Sequence, residues 1–130
     1  MRLAHQNALT VAIALLGMTA AFGQTTSTPL SGYECRMLNI TEQQSMDPTF
    51  HVVVRSGPSE ASPASGWASA VIIVKTPAVP ENGFLQMLLP NNRTVWISAD
   101  DTKPYRSRSN PDAKCQPEIL PSGRVGFGPG

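Results

Sequence analysis

Hydrophobic residues in this sequence are gathered into short runs, and polar segments containing proline or glycine separate the runs. The clearest runs are Phe50 to Val54, Ala70 to Lys75, Gly83 to Leu89 and Thr94 to Ser98, and a weaker one extends from Tyr33 to Leu38. β-Branched and aromatic residues favour strands, and Gly or Pro between them ends each strand. Beyond residues 1–23 no window has a convincing helical period. The pattern predicts an all-β fold, a barrel or a sandwich, of about five strands.

The run from Val71 to Val74 places apolar residues on both faces of its strand. Val71 and Ile73 point to one side, and Ile72 and Val74 point to the other. A strand with one face in water would alternate apolar and polar residues, so this strand is expected to be covered on both faces. The 33–38 segment and the C-terminal region are the candidates for this cover. The apolar residues of the C-terminal region are Ile119, Leu120 and Val125.

Turn chemistry supports the same fold class. Pro90 to Arg93 predicts a tight hairpin, because Asn91 and Asn92 tolerate the left-handed conformation that such turns need. The 12 prolines and 10 glycines among 130 residues argue against a helical bundle, since both residues break helices. The polar stretch from Asn39 to Pro48 is expected to be a loop.

Residues 1–23 have the pattern of a secretory signal peptide. Arg2 precedes an apolar run from Ala8 to Met18, and Ala21 to Gly23 fits the small-x-small cleavage rule, which would make Gln24 the new N-terminus. Cleavage after Ala21 is the alternative, and a retained anchor is a second one, although the run is shorter than the roughly 20 residues that span a membrane. Residues 24–32 are expected to be a linker, 33–115 a β-barrel domain and 116–130 a flexible tail rich in Gly and Pro.

The two cysteines, Cys35 and Cys115, lie near the two ends of the predicted domain. Export would place them where disulfides persist, and their number is even, so a structural disulfide is expected. Two free thiols are the alternative. The chain has no Cys-x-x-Cys pattern that would indicate redox chemistry.

Charge is nearly balanced, with 10 Lys plus Arg against 9 Asp plus Glu. Nucleic-acid binders normally carry a basic excess, so this class is disfavoured. Residues 24–102 carry four basic and seven acidic side chains, whereas residues 103–130 carry five basic and two acidic ones. The basic C-terminal segment is expected either to contact an acidic or anionic surface or simply to be solvated.

Four segments together resemble a bacterial SH3-like domain over residues 50 to about 105. They are Val52 to Ser59, which ends in an Arg-Ser-Gly-Pro-Ser turn, then Val71 to Val74, Gly83 to Met87 and Pro90 to Ser98. The turn is the most specific part, and Phe84 stands where the family usually has Trp. The resemblance implies a small, partly open barrel of about five strands that binds cell-wall peptides or protein partners without catalysis.

The candidate ligand-binding residues are chosen from the aromatic and arginine side chains of this region. Aromatic groups in a shallow groove can hold an extended peptide or a sugar, and an arginine can pair with a carboxylate. For each residue there is a structural alternative: core packing for Phe84 and Trp96, and bracing of the turn for Arg55. Trp67 lies in a Gly- and Ser-rich loop, where exposure is expected. The candidates are Arg55, Trp67, Phe84, Trp96 and Tyr105.

The sequence offers little for catalysis, and no cofactor or metal is expected. His51 lies beside apolar residues, where a strand-surface or core role is favoured over that of a base. Asp100 and Asp101 are adjacent, and they fit acidic turn residues better than a converging carboxylate pair. The chain is therefore interpreted as a secreted or periplasmic, non-catalytic binding module. The predicted partner is cell-wall peptide or peptidoglycan or an envelope protein, and the alternative is an inhibitor, immunity or assembly protein. Neither nucleic-acid binding nor stable membrane insertion after signal removal is expected.

Overall fold

Residues 26–129 are described in a computed structural model of the chain. The predicted signal peptide over 1–23 lies outside the described residues. Within them, β-strands dominate, and the elements in chain order are β1 (Thr28–Pro29), β2 (Tyr33–Leu38), α1 (Glu42–Met46), β3 (Val53–Arg55), β4 (Ala64–Trp67), β5 (Val71–Lys75), β6 (Phe84–Leu88), β7 (Thr94–Ser98), a 3₁₀ turn (Ala99–Asp101), β8 (Thr102–Pro104), β9 (Cys115–Ile119) and β10 (Val125–Pro129).

These strands form two antiparallel sheets. The larger sheet has the order β4-β3-β7-β6-β5-β2-β8, and the smaller sheet has the order β1-β9-β10. Neither sheet is closed on itself, because β4 and β8 are the two edges of the larger sheet and β1 and β10 are those of the smaller one. The prediction of an all-β fold is confirmed. The larger sheet contains the five predicted strands and adds the short edge strands β4 and β8.

The main core lies on one face of the larger sheet. Four side chains at its centre are almost fully removed from water, and each stabilises the fold by about 1.5–3 kcal/mol through burial. These are Val54, Val74, Val95 and Ile97. Strand β5 is buried at Ile72, Ile73 and Val74 in succession, which confirms that it is covered on both faces.

The disulfide explains how the second face of β5 is covered. Cys35 on β2 is the cross-strand partner of Ile73, so their side chains share the face opposite the main core. The Cys35–Cys115 bond, with Cα atoms 6.0 Å apart, attaches β9 and therefore the smaller sheet to this face. The predicted structural disulfide is confirmed.

Both ends of the predicted domain differ from expectation. Residues 116–130 were expected to be a flexible tail, but β9 and β10 pair along their whole length in the smaller sheet. The linker predicted over 24–32 likewise contains β1, which pairs with the other edge of β9. The glycines allow this close packing: a Cβ at Gly126 would lie 2.7 Å from the Leu120 Cδ1 atom, and one at Gly128 would clash with the Glu118 carboxylate. Composition predicted flexibility, whereas in the paired strands a Cβ at either position would fit only if the Leu120 or Glu118 side chain moved.

The segment between β2 and β3 was expected to be a loop, and it contains the short helix α1. Thr41 begins it with a capping box: the Gln44 N–H donates to Thr41 Oγ1 at 3.0 Å, and the Thr41 N–H donates to Gln44 Oε1 at 2.8 Å. A Thr followed three residues later by Gln is the local signal of such a start. The helix is too short for its period to be visible in the sequence.

The hairpin between β6 and β7 forms as predicted. Asn92 has a φ of 69°, and its N–H donates to the Leu89 carbonyl at 2.9 Å. Its side chain also donates to the Gly123 carbonyl at 3.3 Å, and the Val125 N–H donates to the Pro90 carbonyl at 3.0 Å. The turn of the β9–β10 hairpin is therefore attached to the turn of the β6–β7 hairpin.

Candidate ligand-binding face

Alternation along β3 separates a buried side of the larger sheet from an exposed one. Val52 and Val54 are buried in the main core, whereas Val53 and Arg55 point to the opposite side. Cross-strand partners share a face, and the register pairs Val53 with Trp67, Arg55 with Trp96 and Trp96 with Gln86. We call the surface made by these five residues the outer face: Val53, Arg55, Trp67, Gln86 and Trp96.

An irregularity in β4 sets the position of Trp67 on this face. Val53 pairs with Trp67 and Arg55 pairs with Ala64, so β4 uses one more residue than β3 over the same stretch. Gly66, at a φ of 117°, lies in this extra length. A bulge of this kind re-aims the neighbouring side chain and needs a residue that tolerates positive φ. The segment expected to be a loop is therefore an edge strand, and its Gly-Trp pair presents the indole.

The Trp67 indole is held against a second ring. It stacks on the His51 imidazole with ring centroids 3.6 Å apart and an angle of 4° between the planes. Such a pair contributes about 0.5–1.5 kcal/mol beyond area burial. Trp67 still keeps 62% of its surface exposed. The stack therefore orients the indole while leaving a large apolar surface available.

His51 belongs to the site, although the sequence pattern did not identify it as a site residue. It was expected on the strand surface or in the core, and it is exposed at the approach to β3. The signal that could have identified it is alternation. Residues 51, 53 and 55 of an extended chain point to one side, so His51 is expected on the same side as Arg55. Its contact with Trp67 depends on the pairing of β3 with β4, which no local pattern reveals.

Arg55 is half-buried and braces the turn that follows β3. Its Nη1 group donates to the Ser62 carbonyl at 3.1 Å. This is the structural alternative considered for Arg55, and the geometry supports it. A second arginine holds the edge strand, because Arg93 Nη2 donates to the Ser65 carbonyl at 2.9 Å and also to the Ser65 hydroxyl. The two arginines stabilise the segment that carries Trp67.

Two of the remaining candidates, Phe84 and Tyr105, do not join Trp67 on an exposed surface. Phe84 shares the side of Trp96 but is only 7% exposed, so the packing alternative holds for it. It lines a depression of about 450 Å³ beside the 58–60 loop, where the Asn82 amide donates to the Pro58 carbonyl at 3.4 Å. Tyr105 is half-buried and follows β8, at the other edge of the larger sheet from Trp67. Trp96 is half-buried on the outer face.

Two carboxyl groups of the described residues have altered pKa values. The pKa of Asp47 is lowered, because its carboxylate accepts hydrogen bonds from the Thr49 hydroxyl at 2.7 Å and from the Thr49 N–H at 2.8 Å, with a smaller effect of the His51 charge. The pKa of Asp101 is raised, first by partial burial and then by the negative charge of Asp100. Both effects are local to turns.

Among residues 26–129, no group of three or more His, Cys, Asp or Glu side chains is arranged to hold a metal ion. In the same part of the chain, no helix has the length and apolar character needed to cross a membrane.

Comparisons with known proteins give no relative for this chain: no protein-family model, curated protein or solved structure matches it.

Proposed function

We propose that this protein is an exported, non-catalytic binding module that holds a cell-wall ligand, peptidoglycan, on its outer face. The observation that carries the proposal is the stacked Trp67, which is fixed by His51 and yet 62% exposed. Exposure of apolar indole surface to water is unfavourable, and a ligand that covers this surface gains the free energy of burying it. The neighbouring Val53, Arg55 and Trp96 extend the same surface.

The chemistry of the outer face suits a sugar ring or an extended peptide. A flat indole packs against the apolar face of a sugar or against peptide side chains, and it does so with little loss of side-chain freedom because it is already oriented. Arg55 on β3, next to the strand of Trp67, and Gln86 on β6, two strands further across the sheet, supply donors for carboxylate or hydroxyl groups. The His51 ring serves as a stacking partner, which supports a binding role rather than proton transfer.

Export and family are further parts of the proposal. The Cys35–Cys115 disulfide is compatible with an extracellular or periplasmic compartment. The proposal also includes a relation to bacterial SH3-like domains, which rests on the sequence of the four segments in which β3, β5, β6 and β7 lie. Both points agree with a module that acts at the cell wall.

A second candidate function is binding of an envelope protein, as an inhibitor, immunity or assembly factor. It is favoured by the exposed apolar pair formed by Trp67 on the edge strand β4 and Val53 on the adjacent β3. Edge strands with exposed apolar residues are a common contact for protein partners. The same outer face would then hold a protein surface.

The test is co-sedimentation of the purified, disulfide-bonded protein with purified peptidoglycan. Wild type is compared with Trp67→Ala, and with Phe127→Ala as a matched control that removes an exposed aromatic side chain from the smaller sheet. We expect the Trp67 variant to lose retention while folded and the Phe127 variant to keep it. No retention of the folded wild type, or equal retention in both variants, would contradict wall binding through the outer face. A pull-down from envelope extract with the same variants then tests the second candidate.

A further inference from the structure

A second open surface lies at the other edge of the larger sheet. A groove of about 710 Å³ runs between α1 and residues 103–111. Its apolar part is formed by Leu38, Ile40 and Ala70, and Thr41 and Ser45 add hydroxyl groups at the side of α1. We call it the basic groove, because of the three cations on one of its walls. Its volume falls in the range of sites that bind ligands.

These three cations are Lys103, Arg106 and Arg108. All three are exposed, and within residues 26–129 none of their side chains makes an ion pair or a hydrogen bond with another described residue. Glu42 on α1 is the acidic residue that lines the groove. Its carboxylate likewise makes no ion pair or hydrogen bond with another described residue. This wall belongs to the basic C-terminal segment, which carries five basic and two acidic side chains over residues 103–130. Positive charge is therefore concentrated beside the apolar floor of the groove, which is formed by Leu38, Ile40 and Ala70.

We propose that the basic groove binds an acidic, extended segment of a partner protein. Carboxylates of the segment would pair with Arg106 and Arg108, and apolar side chains would rest on the floor beside Ala70. Carboxylate–guanidinium hydrogen bonds are the strongest that exposed side chains offer. The inference goes beyond the proposed wall binding, because it concerns a different surface and a different class of ligand.

One feature favours an extended peptide over other anionic ligands. Arg106 and Arg108 lie shortly after β8, in a segment that is not part of a strand. The adjacent β8 is the last strand of the larger sheet, so its outer edge has no neighbouring strand among the described residues. An extended peptide can add at such an edge while its alternate side chains meet the cations. Glu42 lines the groove on the α1 side, where its negative charge would repel a carboxylate. The acidic residues of the peptide would therefore lie on the opposite side, next to Arg106 and Arg108.

The experiment is selection from a short random-peptide phage library on the full chain purified with its disulfide intact. Selection on wild type is followed by fluorescence anisotropy with the most enriched peptide and with its Gln-for-Glu and Asn-for-Asp counterpart. The groove variant is Arg106→Ser/Arg108→Ser, and the charge-matched control is Lys75→Ser/Arg124→Ser, which removes two exposed cations elsewhere. Ala70→Phe fills the apolar floor without changing charge. Trp67→Ala separates this site from the outer face.

We expect enrichment of Asp and Glu alternating with apolar residues. The dissociation constant should rise about tenfold in the groove variant, which corresponds to about 0.7 kcal/mol for each exposed ion pair. It should also rise in Ala70→Phe and change little in the control and in Trp67→Ala. Binding should weaken with added salt. Enrichment without acidic residues, or affinity that survives in the groove variant, overturns the proposal. Failure of the wild-type protein to select any peptide also overturns it. In a parallel sedimentation assay with phosphatidylglycerol vesicles, a defect of the groove variant that appears only there would mean that the ligand is a lipid surface, which overturns the proposal too.

Discussion

Replacing Cys35 and Cys115 together by alanine should lower the free energy of unfolding by about 4.5 kcal/mol. The bond closes a loop across a sequence separation of 80 residues. On the chain-entropy relation, a loop of this length restricts the unfolded chain by about 15 cal/mol/K, which gives the stated value at 25 °C. Small domains have about 5–15 kcal/mol of stability in total, so the variant should retain only part of it. Alanine is chosen because Cys35 is buried, and a serine hydroxyl would add a separate cost there.

Urea unfolding measured by tryptophan fluorescence, with wild type and variant side by side, gives the difference in free energy. Amide hydrogen exchange then tests the mechanism. If the disulfide acts by restricting the unfolded chain, protection should fall by a similar factor in β6 and β7 of the larger sheet and in β9 and β10 of the smaller sheet. A loss confined to β9 and β10 would mean that the bond only attaches the smaller sheet. A difference below about 1 kcal/mol would refute the loop-entropy reasoning for this protein.

Three further outcomes follow from the same structure. Ile97→Ala should lower the free energy of unfolding by about 2–5 kcal/mol, because it empties a fully buried site, whereas Val79→Ala at a 71% exposed position should change it by less than about 0.5 kcal/mol; urea unfolding measures both. Asn92→Ala should cost about 1–2 kcal/mol in the same assay, because Asn tolerates a φ of 69° better than Ala does and because the variant loses the hydrogen bond from the Asn92 side chain to the Gly123 carbonyl; no loss would mean that the turn adopts another geometry. The raised pKa of Asp101 means that the folded state binds a proton more readily than the unfolded state. This group therefore makes stability rise as pH falls from the raised pKa towards the ordinary value of 3.8, and Asp101→Asn should remove that slope and stabilise the protein at neutral pH. Lowered stability of Asp101→Asn at neutral pH would contradict the assignment.

The site residues show where local pattern stops being informative. Arg55 and four aromatic residues of the region from 50 to 105 were identified from the sequence as candidates, and three of the five, Arg55, Trp67 and Trp96, share the outer face. Phe84 has the same alternation but is buried, beside a depression that it lines together with the 58–60 loop, far away in sequence. Tyr105 lies at the other edge of the larger sheet, because β8 pairs with β2 and not with β7. Strand pairing, which is a long-range choice, decides which candidates meet.

The sequence alone determined the central strands and their turns. Val71 to Val74, Phe84 to Leu88 and Thr94 to Ser98 are dense in residues that fit a pleated surface, and the Asn-Asn turn joins the last two, so the information lies within each segment. The even cysteine count and the proposed export led to the disulfide. Long-range contacts, by contrast, place the Gly- and Pro-rich C-terminal region in a sheet. Backbone pairing with β9 and the close approach of Leu120 to Gly126 outweigh the weak strand preference of glycine. The same holds for the outer face and the basic groove, since each is formed by residues from separate segments of the chain that only folding brings together.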